Sequence, residues 1–167
     1  MAEAKPKEYQ LVVFTVGDEE FGVNISQVRE IVRLVQSTYL PKAPAFIEGV
    51  VNLRGQVVAI IDLAKRLGIS AKPRGALTRI IIIEIGETTV GMVVDSVSEV
   101  LRLSPEDIEQ VPSLIETEVP EHYVHGVGKL KDRLLVLLDL DKVLTLEEVQ
   151  HVERQVKAVS KEEQNPA

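Results

Sequence analysis

The sequence predicts an all-β protein built as two copies of one small closed barrel, and three observations carry that prediction. The first is composition: of 167 residues, 45% are hydrophobic and 27% charged but only 4% aromatic, so the apolar share rests on Val, Ile and Leu. Branched aliphatics favour strands, where a doubly substituted Cβ packs well on a pleated surface. The second is an internal repeat. Val16 to Leu34 matches Ile85 to Leu103 without a gap at a shift of 69 residues, placing Gly17 on Gly86, Gly22 on Gly91, Val28 on Val97 and Glu30 on Glu99. A second block matches at a shift of 77, placing Gly49 on Gly126, Leu53 on Leu130, Asp62 on Asp139 and Leu67 on Leu144. The third is the density of turns. Five short strands in about 60 residues leave more edges than an open sheet tolerates, so each copy is expected to close into a barrel.

Both copies read in the same order. A β-rich run, Gln10 to Val16 or Arg79 to Ile85, turns at Gly17-Asp18 or Gly86-Glu87 into a second strand through Gly22 or Gly91. Ser26 or Asp95 is then placed to cap a short helix, because Val28 with Ile31, and Val97 with Val100, stand at helical spacing. Strand resumes through Ile31 to Val35 or Val100 to Leu103. Another hairpin follows, Gly49 to Leu53 with Val57 to Ile61, or Gly126 to Leu130 with Leu134 to Leu138. Each ends at an aspartate, Asp62 or Asp139, suited to cap a helix over Leu63 to Leu67, stopped by Gly68, or over Leu140 to Leu144. Leu146, Val149, Val152, Val156 and Val159, at spacings of three and four, predict an amphipathic C-terminal helix over 147–160. The expected organisation is a disordered N-terminus (1–8), a first barrel over 9–67, a linker over 68–77, a second barrel over 78–146, that helix, and a disordered tail over 161–167.

Charge and chemistry exclude several functions. A net charge of −7, with no basic stripe carrying interleaved aromatics, disfavours nucleic acid and anionic lipid. The absence of cysteine removes disulfides, thiol nucleophiles and thiolate metal sites, and suits a reducing cytoplasm. Apolar runs are strand length, far short of a bilayer span. Glu121, His122 and His125, with His151 elsewhere, are the only hint of a metal site, and the histidines' spacing of three at a strand start puts them on opposite faces, so no metal is expected. Asp62 and Asp139 could be read as catalytic carboxylates, but capping explains them, and recurrence in both copies favours structure. Ser104 to Glu121, with three prolines and six acidic residues against no basic one, reads as a solvated loop. The turn Asn52-Leu53-Arg54-Gly55 stands apart because its counterpart keeps only the leucine. An arginine on a tight turn is a rigid donor fork, suited to a partner's carboxylate or to Glu30.

Phe14 to Gly22, Val28 to Ile31, Pro44 to Leu63 and Val90 to Asp95 resemble the CheW family of chemotaxis coupling proteins, over about Tyr9 to Leu146. The most specific piece is Pro44-Ala45-Phe46-Ile47-Glu48-Gly49-Val50 running into Asn52-Leu53-Arg54-Gly55 and Val57 to Leu63. The resemblance implies one domain of two SH3-like five-stranded barrels around a hydrophobic core. It implies a non-catalytic adaptor without cofactor, coupling the cytoplasmic tips of transmembrane methyl-accepting receptors to the regulatory domain of the histidine kinase CheA. It places that adaptor in the cytoplasm at membrane-associated arrays, with other copies of itself as further ring partners. The kinase contact then falls near Glu30, Glu48, Gly49 and Arg54. The receptor contact falls in an apolar groove near Val28, Ile31, Ile80, Val97 and Val100, with the charge of Arg79 interrupting the groove. Glu30 and Arg54 are expected to pair. The rivals are a regulatory module of a larger chemotaxis protein, which the length of the chain disfavours, and a small hydrolase using Asp62 or Asp139 with a histidine.

Overall fold

Runs rich in Val, Ile and Leu, interrupted by glycine turns, form eleven strands among the residues that the computed structural model describes, which are 8–41, 43–109, 123–145, 147, 148, 150, 151, 154 and 157. The strands are β1 (Tyr9–Val16), β2 (Glu19–Asn24), β3 (Val28–Arg33), β4 (Ile47–Leu53), β5 (Gln56–Asp62), β6 (Arg79–Ile85), β7 (Thr88–Val94), β8 (Ser96–Leu103), β9 (Ile108–Glu109), β10 (Val124–Lys129) and β11 (Leu134–Leu138). Two short helices, α1 (Leu63–Leu67) and α2 (Leu140–Val143), follow β5 and β11. The stripe Leu146, Val149, Val152, Val156 and Val159, most of the acidic connection with Glu121 and His122, and both expected disordered ends lie outside the described residues.

The strands make two sheets, ordered β8-β1-β2-β11-β10-β9 and β3-β6-β7-β5-β4. The expected split into a first barrel of 9–67 and a second of 78–146 differs from this pairing. The first hairpin of each copy joins the other copy: β6 and β7 pair with β3 and β5, while β1 and β2 pair with β8 and β11. The two crossing pairs, β5 with β7 and β2 with β11, are parallel and equivalent under the repeat, since Ala59 opposite Val90 maps onto Val136 opposite Phe21. The repeat is therefore a pseudo-twofold exchange within one chain. Among the described residues each ladder is a linear order with edge strands, β8 and β9 in one and β3 and β4 in the other.

Exchange buries the central strands on both faces, which explains their continuous apolar character. Ile81 and Ile83 on β6 join Val12, Phe14 and Phe21 in a core shared between the sheets. Ile80 and Ile82, pointing the other way, join Val51, Val58, Ile60 and Val93 inside the five-stranded sheet. Leu11, Val13, Leu103, Leu135 and Leu137 form the corresponding interior of the six-stranded sheet.

The helix expected around Val28 and Ile31 is instead a three-residue 3-10 turn, Ile25–Gln27, capped by Asn24 rather than Ser26, followed directly by strand. Its counterpart at Val97 and Val100 is strand throughout, and Asp95 accepts from the backbone N–H groups of Gly17 (2.6 Å) and Lys72 (3.0 Å) instead of capping. The difference has a physical cause: a β-bulge leaves Arg29, and in the other copy Ser98, without a ladder partner. One extra residue puts positions three apart on the same face, which imitates helical spacing.

Arg66 on α1 ties the copies together. Its guanidinium lies 4.6 Å from the Phe46 ring centre and 5.4 Å from that of Tyr123, and donates to the Val143 carbonyl (2.6 Å) and Glu148 (2.7 Å). Glu148 also accepts from Thr145 N while its own N–H donates to Thr145 Oγ1, a capping box. The Arg66 side chain is only 16% exposed, so Arg66→Ala strips well-formed charge-assisted bonds and is expected to cost about 2 kcal/mol, read as a lowered urea midpoint at unchanged m value.

Candidate functional site

The hairpin between β4 and β5 turns through Arg54 and Gly55 alone, with φ of 52° and 88°. A two-residue turn of type I′ demands positive φ at both positions, and glycine and asparagine are the residues that adopt it readily. Arg54 is the only non-glycine residue with positive φ among the described residues. Asn52 holds the turn by accepting from Gly55 N at 2.8 Å, and the Arg54 guanidinium donates to the Glu30 carboxylate on β3, the pairing expected from sequence. Beside it Arg29 reaches Glu84 at 3.4 Å and Thr89 at 3.3 Å. A strained residue at an exposed tip is a feature of functional sites, and here it presents a fixed cation.

The other copy builds an equivalent pair that sequence alignment conceals. Glu99, the repeat mate of Glu30, lies 3.3 Å from Arg133, which also donates to Glu20 and, at 2.9 Å, to Asp132. The arginine has moved from the position matching Arg54, now Lys131, to the far side of its hairpin. Hydrogen bonding to Glu20 is the main cause that raises the Arg133 pKa above its ordinary value.

Glu48 and Gly49 do not stand with Arg54. They occupy the opposite end of β4, about 17–20 Å away at strand rise. Glu48 accepts from Arg74, which also lies 3.7 Å from Asp62, and the bond to Glu48 is the chief cause raising the Arg74 pKa. Gly49 is buried, and a Cβ there would stand 2.3 Å from the Thr38 carbonyl oxygen, so its position is structural. Asp62 and Asp139 cap α1 and α2, accepting from Lys65 N at 3.3 Å and Asp141 N at 3.1 Å, each at the end of a strand in a different sheet.

The apolar set divides in three. Ile31 (40% exposed) and Val100 (54% exposed) are repeat mates on the edge strands β3 and β8. Register sets Ile31 opposite Ile81 and Val100 opposite Val12, so both stand on faces turned to the core between the sheets. Val28 and Val97 are half-buried against that core. Ile80 is a correction: it is fully buried within the five-stranded sheet and offers nothing to a surface groove. Strand alternation explains why, since its neighbours Arg79 and Ile81 point oppositely.

Two sheets enclosing three apolar cores, with exposed aliphatics and fixed arginine forks on edge strands and hairpin tips, define a protein-docking module. The chain matches the CheW-like domain family over residues 10–148 and belongs to that family. It is 39% identical to the chemotaxis protein CheW of Klebsiella aerogenes across 89% of both chains. It is 40% identical to that of Rhizobium meliloti, covering 83% of this chain and 89% of the relative. The solved scaffolding protein TtCheW of Thermoanaerobacter tengcongensis superposes with a TM-score of 0.77 at 34% identity, covering 89% of this chain and 95% of that one.

Proposed function

We propose that this protein is a non-catalytic chemotaxis adaptor that joins the cytoplasmic tips of methyl-accepting receptors to the regulatory domain of the histidine kinase CheA, in the cytoplasm beneath receptor arrays. The carrying observation is the pair of repeat-related aliphatics, Ile31 and Val100, left exposed along the seam between the sheets while the arginine turn at Arg54 occupies a hairpin tip. An apolar seam suits the aliphatic face of a receptor helix, whereas a fixed guanidinium on a β-hairpin suits a carboxylate on another β domain. Separate surfaces allow both partners at once. Coupling then requires only that receptor state bias kinase placement, by on the order of 1–3 kcal/mol.

Calorimetric titration with the kinase regulatory domain, then with a receptor-tip helical hairpin, tests the reading. Both should bind wild type together. The double substitution Ile31→Glu, Val100→Glu should weaken the receptor hairpin by at least about tenfold, because a burying seam becomes charged, and leave the kinase domain unaffected. Failure of both partners to bind wild type across a range of salt would sink the adaptor assignment.

A further inference from the structure

The seam between the sheets is symmetric in its aliphatics but not in its charge. Two residues beyond the repeat mates Ile31 and Val100, on the same strand faces, stand Arg33 on β3 and Arg102 on β8. Register sets Arg102 opposite the neutral Gln10. The shift of 69 carries Gln10 onto Arg79, so Arg33 lies directly opposite a second arginine. Like charges facing each other across a strand pair are destabilising, and the Gln10 arrangement shows that the fold does not require them. Among the described residues neither Arg33 nor Arg79 has a carboxylate within ion-pair distance, whereas Arg29, Arg54, Arg66, Arg74 and Arg133 each have one. Arg79 is nonetheless fixed. Its Nη1 donates to the carbonyls of Ala76 (2.7 Å) and Thr78 (2.9 Å), which leaves Nε and Nη2 without an acceptor among the described residues. Both arginines line one open cavity of about 380 Å³. Val35, two residues after Arg33, and Leu77, two before Arg79, are exposed.

We propose that Arg33 and Arg79 together receive a carboxylate of the receptor helix that lies in the seam. The inference rests on the adaptor reading and adds a charged specificity contact to its apolar surface. Arg33 stands about 7 Å from Ile31 at strand rise, and Arg79 shares the face of Ile81 that borders the core between the sheets. A helix seated on Ile31 therefore passes within reach of both guanidinium groups. One carboxylate accepts from two cations at once and relieves the repulsion between them, and the main-chain bonds of Arg79 reduce the side-chain freedom lost on binding. Two arginines beside Ile31, against the single Arg102 beside Val100, also distinguish the two halves of an otherwise matched apolar seam.

The test is calorimetric titration of the full-length chain with the receptor-tip helical hairpin at low and high salt. Arg33→Gln with Arg79→Gln, which installs the residue the other copy uses, should weaken the hairpin about tenfold at low salt and by less at high salt, leaving kinase-domain affinity unchanged. Arg33→Gln alone breaks no hydrogen bond among the described residues, so it keeps the test sound if the double variant folds poorly; it should weaken the hairpin several-fold. Replacing the hairpin's carboxylates by their amides one at a time locates the contact. One replacement should cost wild type about tenfold and cost the double variant nothing. A hairpin that binds wild type and both variants equally leaves the adaptor reading standing and overturns the arginine site. A hairpin that binds none of them overturns both. Loss of kinase-domain affinity in the folded variants, or a weakening that no single carboxylate shares, also overturns the site.

Discussion

Gly49→Ala should destabilise the protein by about 3–4 kcal/mol, since it combines overpacking with the loss of two backbone hydrogen bonds. The β-carbon would lie 2.3 Å from the Thr38 carbonyl oxygen and 2.8 Å from the Thr38 carbonyl carbon, both main-chain atoms that cannot rotate away. Thr38 is fixed there by a reciprocal bridge with Val50, at 2.7 and 2.8 Å, so relief of the clash breaks both bonds. The repeat repeats the constraint: a Cβ at Gly126 would lie 2.7 Å from the Glu109 carbonyl oxygen, and Gly126→Ala should move stability in the same direction by less. Urea unfolding monitored by circular dichroism checks the magnitude. A loss of this size leaves most molecules folded if the wild type has ordinary stability. Kinase-domain affinity per folded molecule should then be unchanged, because Gly49 is buried and its effect is on the fold. An intact midpoint, or a large affinity loss in a fully folded variant, would contradict that assignment and return Gly49 to the docking surface.

The contrast between Gly49 and Arg54 shows what the sequence makes legible. Both stand in the most specific run of the family resemblance, yet one fills a backbone crossing and the other a hairpin tip, and nothing in residue type or spacing separates them. The repeat, the hairpins and the caps at Asp62 and Asp139 are legible because local turn chemistry specifies them. The exchange of hairpins is not. A strand buried on both faces, such as Ile80 to Ile83, has no outward face to reveal its partner, so either copy satisfies the pattern equally. The family resemblance implies a groove position for Ile80, and a run buried on both faces offers no alternation that would correct it. The bulges at Arg29 and Ser98 each offset the period by one residue, and the Arg133 pairing is hidden from alignment because its contact with Glu99 is kept in space while its position in the repeat shifts.

Arg54→Glu should reduce affinity for the kinase regulatory domain by at least about thirtyfold, on the order of 2 kcal/mol, with little change in stability. The ion pair with Glu30 is largely solvent-facing, the Arg54 side chain being 68% exposed, so its own contribution to folding is about 0–1 kcal/mol. Reversal places two carboxylates where a partner would meet a guanidinium, which reverses the charge offered to the partner. Stability alone cannot explain such a loss, and Arg54→Asn makes the separation sharper. Asparagine accepts the left-handed conformation that arginine holds under strain, which offsets the lost ion pair and leaves folding stability within about 1 kcal/mol of wild type. If the asparagine variant is at least as stable as wild type yet binds the kinase domain several-fold more weakly in calorimetry, the arginine is kept at a turn it does not suit because of what it contacts. If both substitutions leave kinase binding untouched, the turn is a structural clasp between β3 and the β4–β5 hairpin, and the docking surface must be sought at Arg133, where the other copy rebuilds the same pair.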